Sequence, residues 1–124
     1  MSKADAKAYL AKAEEFLAAA RANLAEGWTN AAASNAVSCG INAKDAICLA
    51  QTGRTTKTDN HAEAIKELRQ AGKAGADLES TFSRLLKLKP KAQYQRDAVS
   101  VADAEKAVEW AQRMCDGALQ VVTA

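Results

Sequence analysis

The chain has 124 residues, with 17 lysine and arginine residues against 15 aspartate and glutamate residues, and a formal net charge of +2. This near balance neither requires nor excludes a nucleic-acid partner, so charge alone selects no function class. Hydrophobic residues make up 48% of the chain, but aromatic residues only 5%, and one proline is present. This alanine-rich composition favours helices over strands, and the length of the chain predicts one domain over residues 1–124.

Charge interruptions and cysteine usage both bear on the cellular location. Charged residues interrupt every apolar run near the N-terminus, and no segment approaches the roughly 20 apolar residues of a membrane span, so we expect neither a signal peptide nor a membrane partner. Cys39, Cys48 and Cys115 are odd in number and lack metal-ligand spacing. We therefore expect reduced core thiols, with no disulfide and no metal site. Because neither a signal peptide nor a membrane span is expected, we predict a cytoplasmic protein, and we expect no cofactor.

The first helix is predicted to run from Ser2 to about Glu26, with Ser2 and Asp5 forming a capping box and Gly27 ending the helix in a left-handed turn. Its apolar positions recur at helical spacing: Tyr9, Leu10, Ala13, Phe16, Leu17, Ala20 and Leu24.

The second helix is predicted to be capped by Thr29, with Trp28 packing back as a hydrophobic staple, and to end near Thr52 and Gly53. The short turn before it makes the first two helices antiparallel neighbours. Polar residues recur along this helix at steps of three, four and three: Asn35, Ser38, Asn42 and Asp45. This polar stripe fits either a lined cavity, interface or site, or a solvated face.

After a loop over residues 54–58, a third helix is predicted to be capped by Asp59 or Asn60 and to end around Ala71. Its inner face is predicted to hold three residues: Ala62, Ile65 and Leu68. The stretch 72–77, GKAGAD, is predicted to break the helical periodicity.

A fourth helix is predicted from about Asp77 to Leu88, closed by Pro90. Ser100 and Asp103 predict the capping box of a last helix that runs to about Val122. No useful β-type alternation occurs. We therefore predict an all-α fold, an up-and-down four-helix bundle with an additional short helix.

Arg54 and His61 lie at the two ends of the loop between the second and third helices, with six residues between them. A histidine titrates near neutral pH and can move protons, while an arginine can hold a phosphate and stabilise developing charge. Together they suit cleavage of RNA without a metal, in which a base activates the ribose 2′-hydroxyl. The alternative is that His61 is a surface or capping residue near a helix start.

The segment 87–96 is basic and contains one tyrosine. Tyr94 could stack on a base while neighbouring cations contact a nucleic-acid backbone. Those cations are Lys87, Lys89, Lys91 and Arg96. The alternative is that Tyr94 only packs this segment onto the bundle.

Three stretches together resemble the HEPN domain family, small all-α domains of prokaryotic toxin–antitoxin, defence and RNA-processing proteins. They are the polar second helix NAAASNAVSCGINAKDAICLA, the loop GRTTKTDNHAEAIKELR and the closing KAQYQRDAVSVADAEKAVEWAQRM. Active HEPN ribonucleases have an arginine and a histidine with four to six residues between them, and Arg54 and His61 match the upper limit of this spacing. The family commonly has Asn, Asp or His directly after the arginine, where this chain has Thr55, and in many members the motif lies later, before the final helix.

The resemblance implies a homodimer whose two Arg54 and His61 pairs face each other, and an RNA or nucleotide partner. Asn42 and Asp45 would then orient His61 or Arg54, whereas the competing reading pairs Asp45 with Lys44 or Arg54 on the surface. Family toxins often have a nucleotidyltransferase-like antitoxin as partner. The resulting hypothesis is a metal-independent ribonuclease that contacts RNA through Lys89, Tyr94 and Arg96. The alternative is a non-catalytic accessory module that binds a nucleotide or a partner protein.

Overall fold

The computed structural model describes residues 3–124, so the predicted cap at Ser2 lies outside the described residues. The helices are α1 (Lys3–Ala25), α2 (Thr29–Thr52), α3 (His61–Arg69), α4 (Gly72–Asp77), α5 (Glu79–Leu86), α6 (Lys89–Gln93) and α7 (Val101–Val122). No strand occurs over residues 3–124. The all-α prediction is confirmed.

Three long helices, α1, α2 and α7, pack against one another, and α2 also contacts each of the shorter helices. The turn between α1 and α2 is only three residues long, and Gly27 within it has a φ of 78°. A residue with a side chain rarely adopts that conformation, so glycine suits this reversal. The first two helices are therefore antiparallel neighbours, as predicted, and α2 lies at the centre of the bundle.

Small residues make up most of the interface around α2. Five of its alanines are completely buried, at positions 32, 33, 36, 43 and 46. Larger side chains fill the remaining space from the other helices, among them Leu17, Leu68, Phe82, Leu85 and Met114. Because alanine adds little width, neighbouring helices can approach α2 closely and bury their own larger residues against it.

Two short segments differ from the predictions. GKAGAD forms α4 instead of a break, and Pro90 lies in the first turn of α6 instead of closing the preceding helix. Proline is compatible with a first turn because the N–H that it lacks has no partner within the helix there. α4 is six residues long and α6 five, so neither is long enough to show a clear apolar period in the sequence.

The capping predictions have mixed outcomes. Asn60 caps α3, accepting a hydrogen bond from the Glu63 amide at 3.1 Å, and Ser100 caps α7 in the same way. Thr29, predicted as a cap, is instead the first residue of α2. Trp28 takes the cap position without a side-chain hydrogen bond, and 61% of its surface is exposed, so the predicted hydrophobic staple is wrong.

The register of the shorter helix α3 also differs in detail. Ala62 is exposed, and the buried residues are Ala64 and Leu68, with Ile65 half-buried. No helix within residues 3–124 combines the length and the apolar character needed to cross a membrane.

At Gly75, α4 lies close to the backbone of α3. A Cβ added there would lie 2.1 Å from the backbone oxygen of Leu68, which cannot move without shifting α3. At Gly117 the nearest atom would be the flexible end of the Leu78 side chain. We expect Gly75→Ala to lower the free energy of unfolding by about 1–3 kcal/mol and Gly117→Ala to have a smaller effect. Urea denaturation of both variants measures this, and equal effects would contradict it.

Candidate functional site

The loop between α2 and α3 spans residues 53–60 and is defined at both ends by backbone geometry. Gly53 ends α2 with a φ of 78°, and its amide donates to the Leu49 carbonyl at 3.0 Å. Asn60 caps α3, so His61 is the first residue of that helix. The two fixed ends hold the loop beside α2.

Lys44 of α2 is a buried cation beneath this loop. Only 2% of its surface is exposed, although lysine is rarely buried without partners. Its ammonium donates to the Thr55 hydroxyl at 3.0 Å, to the Thr56 carbonyl at 3.2 Å and to the carboxylate of Glu67. Asp45, next to it on α2, forms an ion pair with this ammonium, with Oδ1 3.2 Å from Nζ. Lys44 thus connects α2, the loop and α3.

Asp45 and Glu67 supply the matching negative charges. Asp45, which is 1% exposed, accepts from the Thr55 hydroxyl at 2.5 Å through Oδ1 and from Lys57 Nζ at 2.5 Å through Oδ2. Glu67 accepts from the Thr56 amide at 2.8 Å. Lys44, Asp45, Thr55, Lys57 and Glu67 form what we call the Lys44 cluster.

Lys57 extends this cluster toward the surface. Its ammonium lies 4.0 Å from the centre of the Tyr9 ring, a cation–π geometry. Burial lowers the pKa of Lys57, but the hydrogen bonds with Asp45 and Tyr9 outweigh this, so the pKa lies above its ordinary value. Lys57 is therefore a cation at neutral pH, and its ammonium is held by Tyr9 of α1 and Asp45 of α2.

The cluster is neutral overall, because two ammonium groups face two carboxylates. Such an arrangement is needed where charges leave water, since an unpaired buried charge costs several kcal/mol. Burial raises the pKa of Glu67, but hydrogen bonds from Lys44 and Thr56 lower it more, to about 2. The carboxylate of Glu67 is therefore ionised across the whole neutral range.

A cleft of about 380 Å³ opens beside the cluster, and we call it the His61 cleft. Its floor includes apolar side chains of α2, α3 and α5, and its rim includes polar residues of the loop and Lys89. The lining residues are Ile41, Lys44, Asp45, Thr56, Lys57, Thr58, Asp59, His61, Ala64, Phe82, Leu86 and Lys89. The size lies within the range of about 300–1,000 Å³ that is usual for ligand pockets.

The structure brings together three of the predicted site residues and leaves four outside. His61, Asp45 and Lys89 line the cleft. Arg54 does not, and its side chain is exposed. Asn42 donates to the Ser38 carbonyl of its own helix at 2.8 Å.

The predicted role of Asp45 also differs from its contacts. Its carboxylate oxygens are bonded to Lys44, Thr55 and Lys57, and neither Arg54 nor His61 is among these partners. The competing prediction had the correct partner, Lys44, but the pair is buried and not on the surface.

Tyr94 and Arg96 lie beyond α6, on the surface. Tyr94 is 75% exposed, so the alternative that it packs this segment onto the bundle is wrong. Arg96 is also exposed, with Asp97 3.7 Å from its Nε. Lys89 begins α6 and Tyr94 follows its last residue, so about 8 Å of helix axis separates them.

The three cysteines are free and buried, as predicted. The hydrogen bond with Cys115, whose Sγ lies 3.2 Å from that of Cys39, raises the pKa of Cys39, and burial raises it further. Burial likewise raises the pKa of Cys48 to about 12. Cys39 and Cys48 are therefore neutral core residues. No group of three or more His, Cys, Asp or Glu side chains within residues 3–124 is arranged to hold a metal ion.

Comparison with protein-family models matches residues 6–120 to the HEPN domain. The chain belongs to the HEPN domain family. The match covers nearly the whole chain and confirms the resemblance found in the sequence. None of the curated proteins matches the chain. Membership supports a role connected with ribonuclease activity or nucleotides for this HEPN domain.

Sequence patterns assigned no site role to Lys44, Thr55, Lys57 or Glu67, although the competing prediction named Lys44 as a surface partner of Asp45. A signal for Lys44 exists, because its neighbours one turn away on α2 are all apolar or small: Gly40, Ile41, Ile47 and Cys48. A lysine in the middle of an apolar stripe is either buried with partners or an interruption of the stripe. Sequence alone does not identify partners in another helix.

Glu67 gives this HEPN domain a specific dependence of stability on pH. Its pKa is about 2 in the folded state, against 4.5 for an ordinary glutamate, so its stabilisation is complete above pH 4.5 and is lost as the pH falls toward 2. Because 27% of the Glu67 side chain is exposed, solvent screens part of the free energy that this pKa difference implies. We therefore expect Glu67 to contribute about 2 kcal/mol to the free energy of unfolding.

We therefore expect Glu67→Gln to lower the free energy of unfolding by about 2 kcal/mol at pH 7 and by progressively less below pH 4.5. Chemical denaturation from pH 2.5 to 7 measures this difference. Glu105→Gln, an exposed position on α7, is the control and should follow wild type at every pH. A constant difference between Glu67→Gln and wild type would contradict the prediction.

Proposed function

We propose that this HEPN domain binds single-stranded RNA, with one nucleotide held in the His61 cleft. The observation that supports this is the cleft itself, in which an apolar floor meets a rim that carries Lys57, His61 and Lys89. A nucleotide has the same division, with an aromatic base and an anionic phosphate. The base would pack on the floor beside Ile41 and Leu86, and the phosphate would lie at the rim.

The electrostatics of the rim favour an anion. The net charge of the Lys44 cluster is zero, so Lys89 adds positive charge to a neutral background. His61 is also the first residue of α3, where the helix dipole contributes a partial positive charge. Among the loop residues of the rim, Asp59 carries a negative charge, which opposes the binding of an anion. Its carboxylate can accept a hydrogen bond from a ribose hydroxyl.

A second contact region supports RNA over a free nucleotide. Tyr94 is exposed at the far end of α6 from Lys89, and Arg96 lies two residues beyond it. Exposed aromatic rings beside cations bind single-stranded RNA by stacking on bases while the cations contact the backbone. A strand that leaves the cleft at Lys89 would pass along α6 to Tyr94.

The binding proposal predicts unequal effects for two lysines. Lys89→Ala should weaken binding of a fluorescein-labelled, mixed-sequence 12-nucleotide RNA by about tenfold and reduce its salt dependence, because one phosphate contact is lost. Lys106→Ala, at an exposed position on α7, is the control and should bind as wild type. Fluorescence anisotropy measures both, and equal affinities for the two variants would refute the cleft as the binding site.

Metal-independent RNA cleavage is the second candidate, as an activity of the same site. Two observations support it. Arg54 is exposed at the start of the loop, and His61, the first residue after the loop, lines the cleft. His61 would take the proton from the ribose 2′-hydroxyl, whose oxygen would bond to the phosphorus, and Arg54 would stabilise the negative charge on the phosphate oxygens. The bond from phosphorus to the 5′-oxygen would break, and the leaving 5′-oxygen would take a proton from the His61 imidazolium or from water. In a homodimer of the family type, the second Arg54 would also be available to the same cleft.

Cleavage of a mixed RNA pool in EDTA tests this candidate. We expect Arg54→Ala and His61→Ala each to lower the rate by about 100-fold or more, and the products to end in 2′,3′-cyclic phosphates. Arg113→Ala, an exposed arginine on α7, serves as the matched control. Equal rates in all preparations would indicate a contaminating nuclease. Binding without any cleavage would instead favour a non-catalytic accessory module.

The biological setting follows from the same proposal. A ribonuclease toxin should slow the growth of its host, His61→Ala should relieve this, and a nucleotidyltransferase-like antitoxin would be the expected partner. We place this activity in the cytoplasm, where buried thiols such as Cys39 and Cys48 remain reduced.

A further inference from the structure

Thr55 lies at the centre of the contacts that hold the loop against the helices. Its hydroxyl accepts from Lys44 Nζ at 3.0 Å and lies 2.5 Å from Asp45 Oδ1 and 3.2 Å from Glu67 Oε1, to one of which it donates. A hydroxyl is the only part of this side chain that can accept and donate at once. Thr55 therefore contacts α2 and α3 through one atom.

The next residue is fixed through its backbone. The Thr56 amide donates to Glu67 at 2.8 Å, and its carbonyl accepts from Lys44 at 3.2 Å. Both polar backbone groups of Thr56 are thus bonded to side chains, in a segment that has no regular secondary structure. The residues that follow, Lys57, Thr58 and Asp59, line the His61 cleft.

We propose that Thr55, together with the buried Lys44, is a positioning residue for RNA binding. Its hydroxyl fixes the first half of the loop so that Lys57 and His61 face the same cleft. This inference rests on the proposed function and deepens it, because Thr55 touches no bound nucleotide and acts through the loop. It also gives a role to the residue that directly follows Arg54.

The direction of the Thr55 side chain determines what its neighbours can do. Thr55 is half-buried over the cluster, while Arg54 before it and Lys57 after it are exposed. A loop anchored by Thr55 keeps Arg54 on the outside and leads the chain toward the cleft. Loss of this anchor would free the residues that form the rim without removing any of them.

Thr55→Val and Thr55→Ser form a matched pair for the test. Valine keeps the shape of threonine but removes the hydroxyl, whereas serine keeps the hydroxyl and removes a methyl group. Replacement of Lys44 is less informative, because it would leave two carboxylates without their buried partner and could unfold the chain.

Four measurements separate positioning from general destabilisation. We expect Thr55→Val to accelerate amide hydrogen exchange at Thr56 by about tenfold, since the loop opens more often once the hydroxyl bonds are lost. It should also weaken binding of the labelled 12-nucleotide RNA by about tenfold and shift the ring NMR signals of His61, the one histidine of the chain. The melting temperature should fall by less than about 5 °C. Thr55→Ser should resemble wild type in all of these.

Each contrary result identifies what has failed. Unchanged Thr56 exchange in Thr55→Val, or equal losses in Thr55→Ser, would overturn the role of the hydroxyl in holding the loop. Faster exchange with unchanged RNA affinity would overturn its role in binding. If wild-type protein binds no RNA, the proposed function and the binding role of Thr55 fail together, while the exchange rates and His61 signals still decide whether Thr55 anchors the loop.

Discussion

The buried ammonium of Lys44 is the constraint on which the loop and cleft depend. A cation removed from water must receive hydrogen bonds and opposite charge from the protein, and here these come from three parts of the chain. Asp45 is its neighbour on α2, Thr55 belongs to the loop, and Glu67 belongs to α3. The need to satisfy one ammonium group therefore fixes where the loop lies and how α3 is oriented.

Helical periodicity predicted the large features of this HEPN domain well. Gly53 marks where α2 ends, and the Ser100 cap marks where α7 begins. Both could be predicted because these signals act locally and do not depend on tertiary contacts. The short helices α4 and α6 were missed for the opposite reason. A helix of five or six residues gains little from its own hydrogen bonds and exists because its neighbours pack on it, which a local pattern cannot show.

The candidate site could be predicted only in part. His61 and Lys89 were identified by their chemistry and do line the cleft, but Asp45 was assigned partners that it does not contact. The error has a physical origin, because the ion pair of Asp45 with Lys57, 12 residues away, depends on how the loop folds over α2. Sequence spacing reports neighbours on one helix and carries no information about such a pair.

Neighbouring residues in and beside the loop differ in what they contact. Thr55 and the backbone of Thr56 face the helices and hold the loop, while the side chains of Arg54 and His61 are left for other partners. A rigid loop costs less entropy to order when a ligand binds, so residues that never touch the ligand can still raise its affinity. Replacing the family's usual Asn, Asp or His by a threonine after the arginine is then compatible with a working site, provided that the side chain at this position serves the buried cluster and not the ligand.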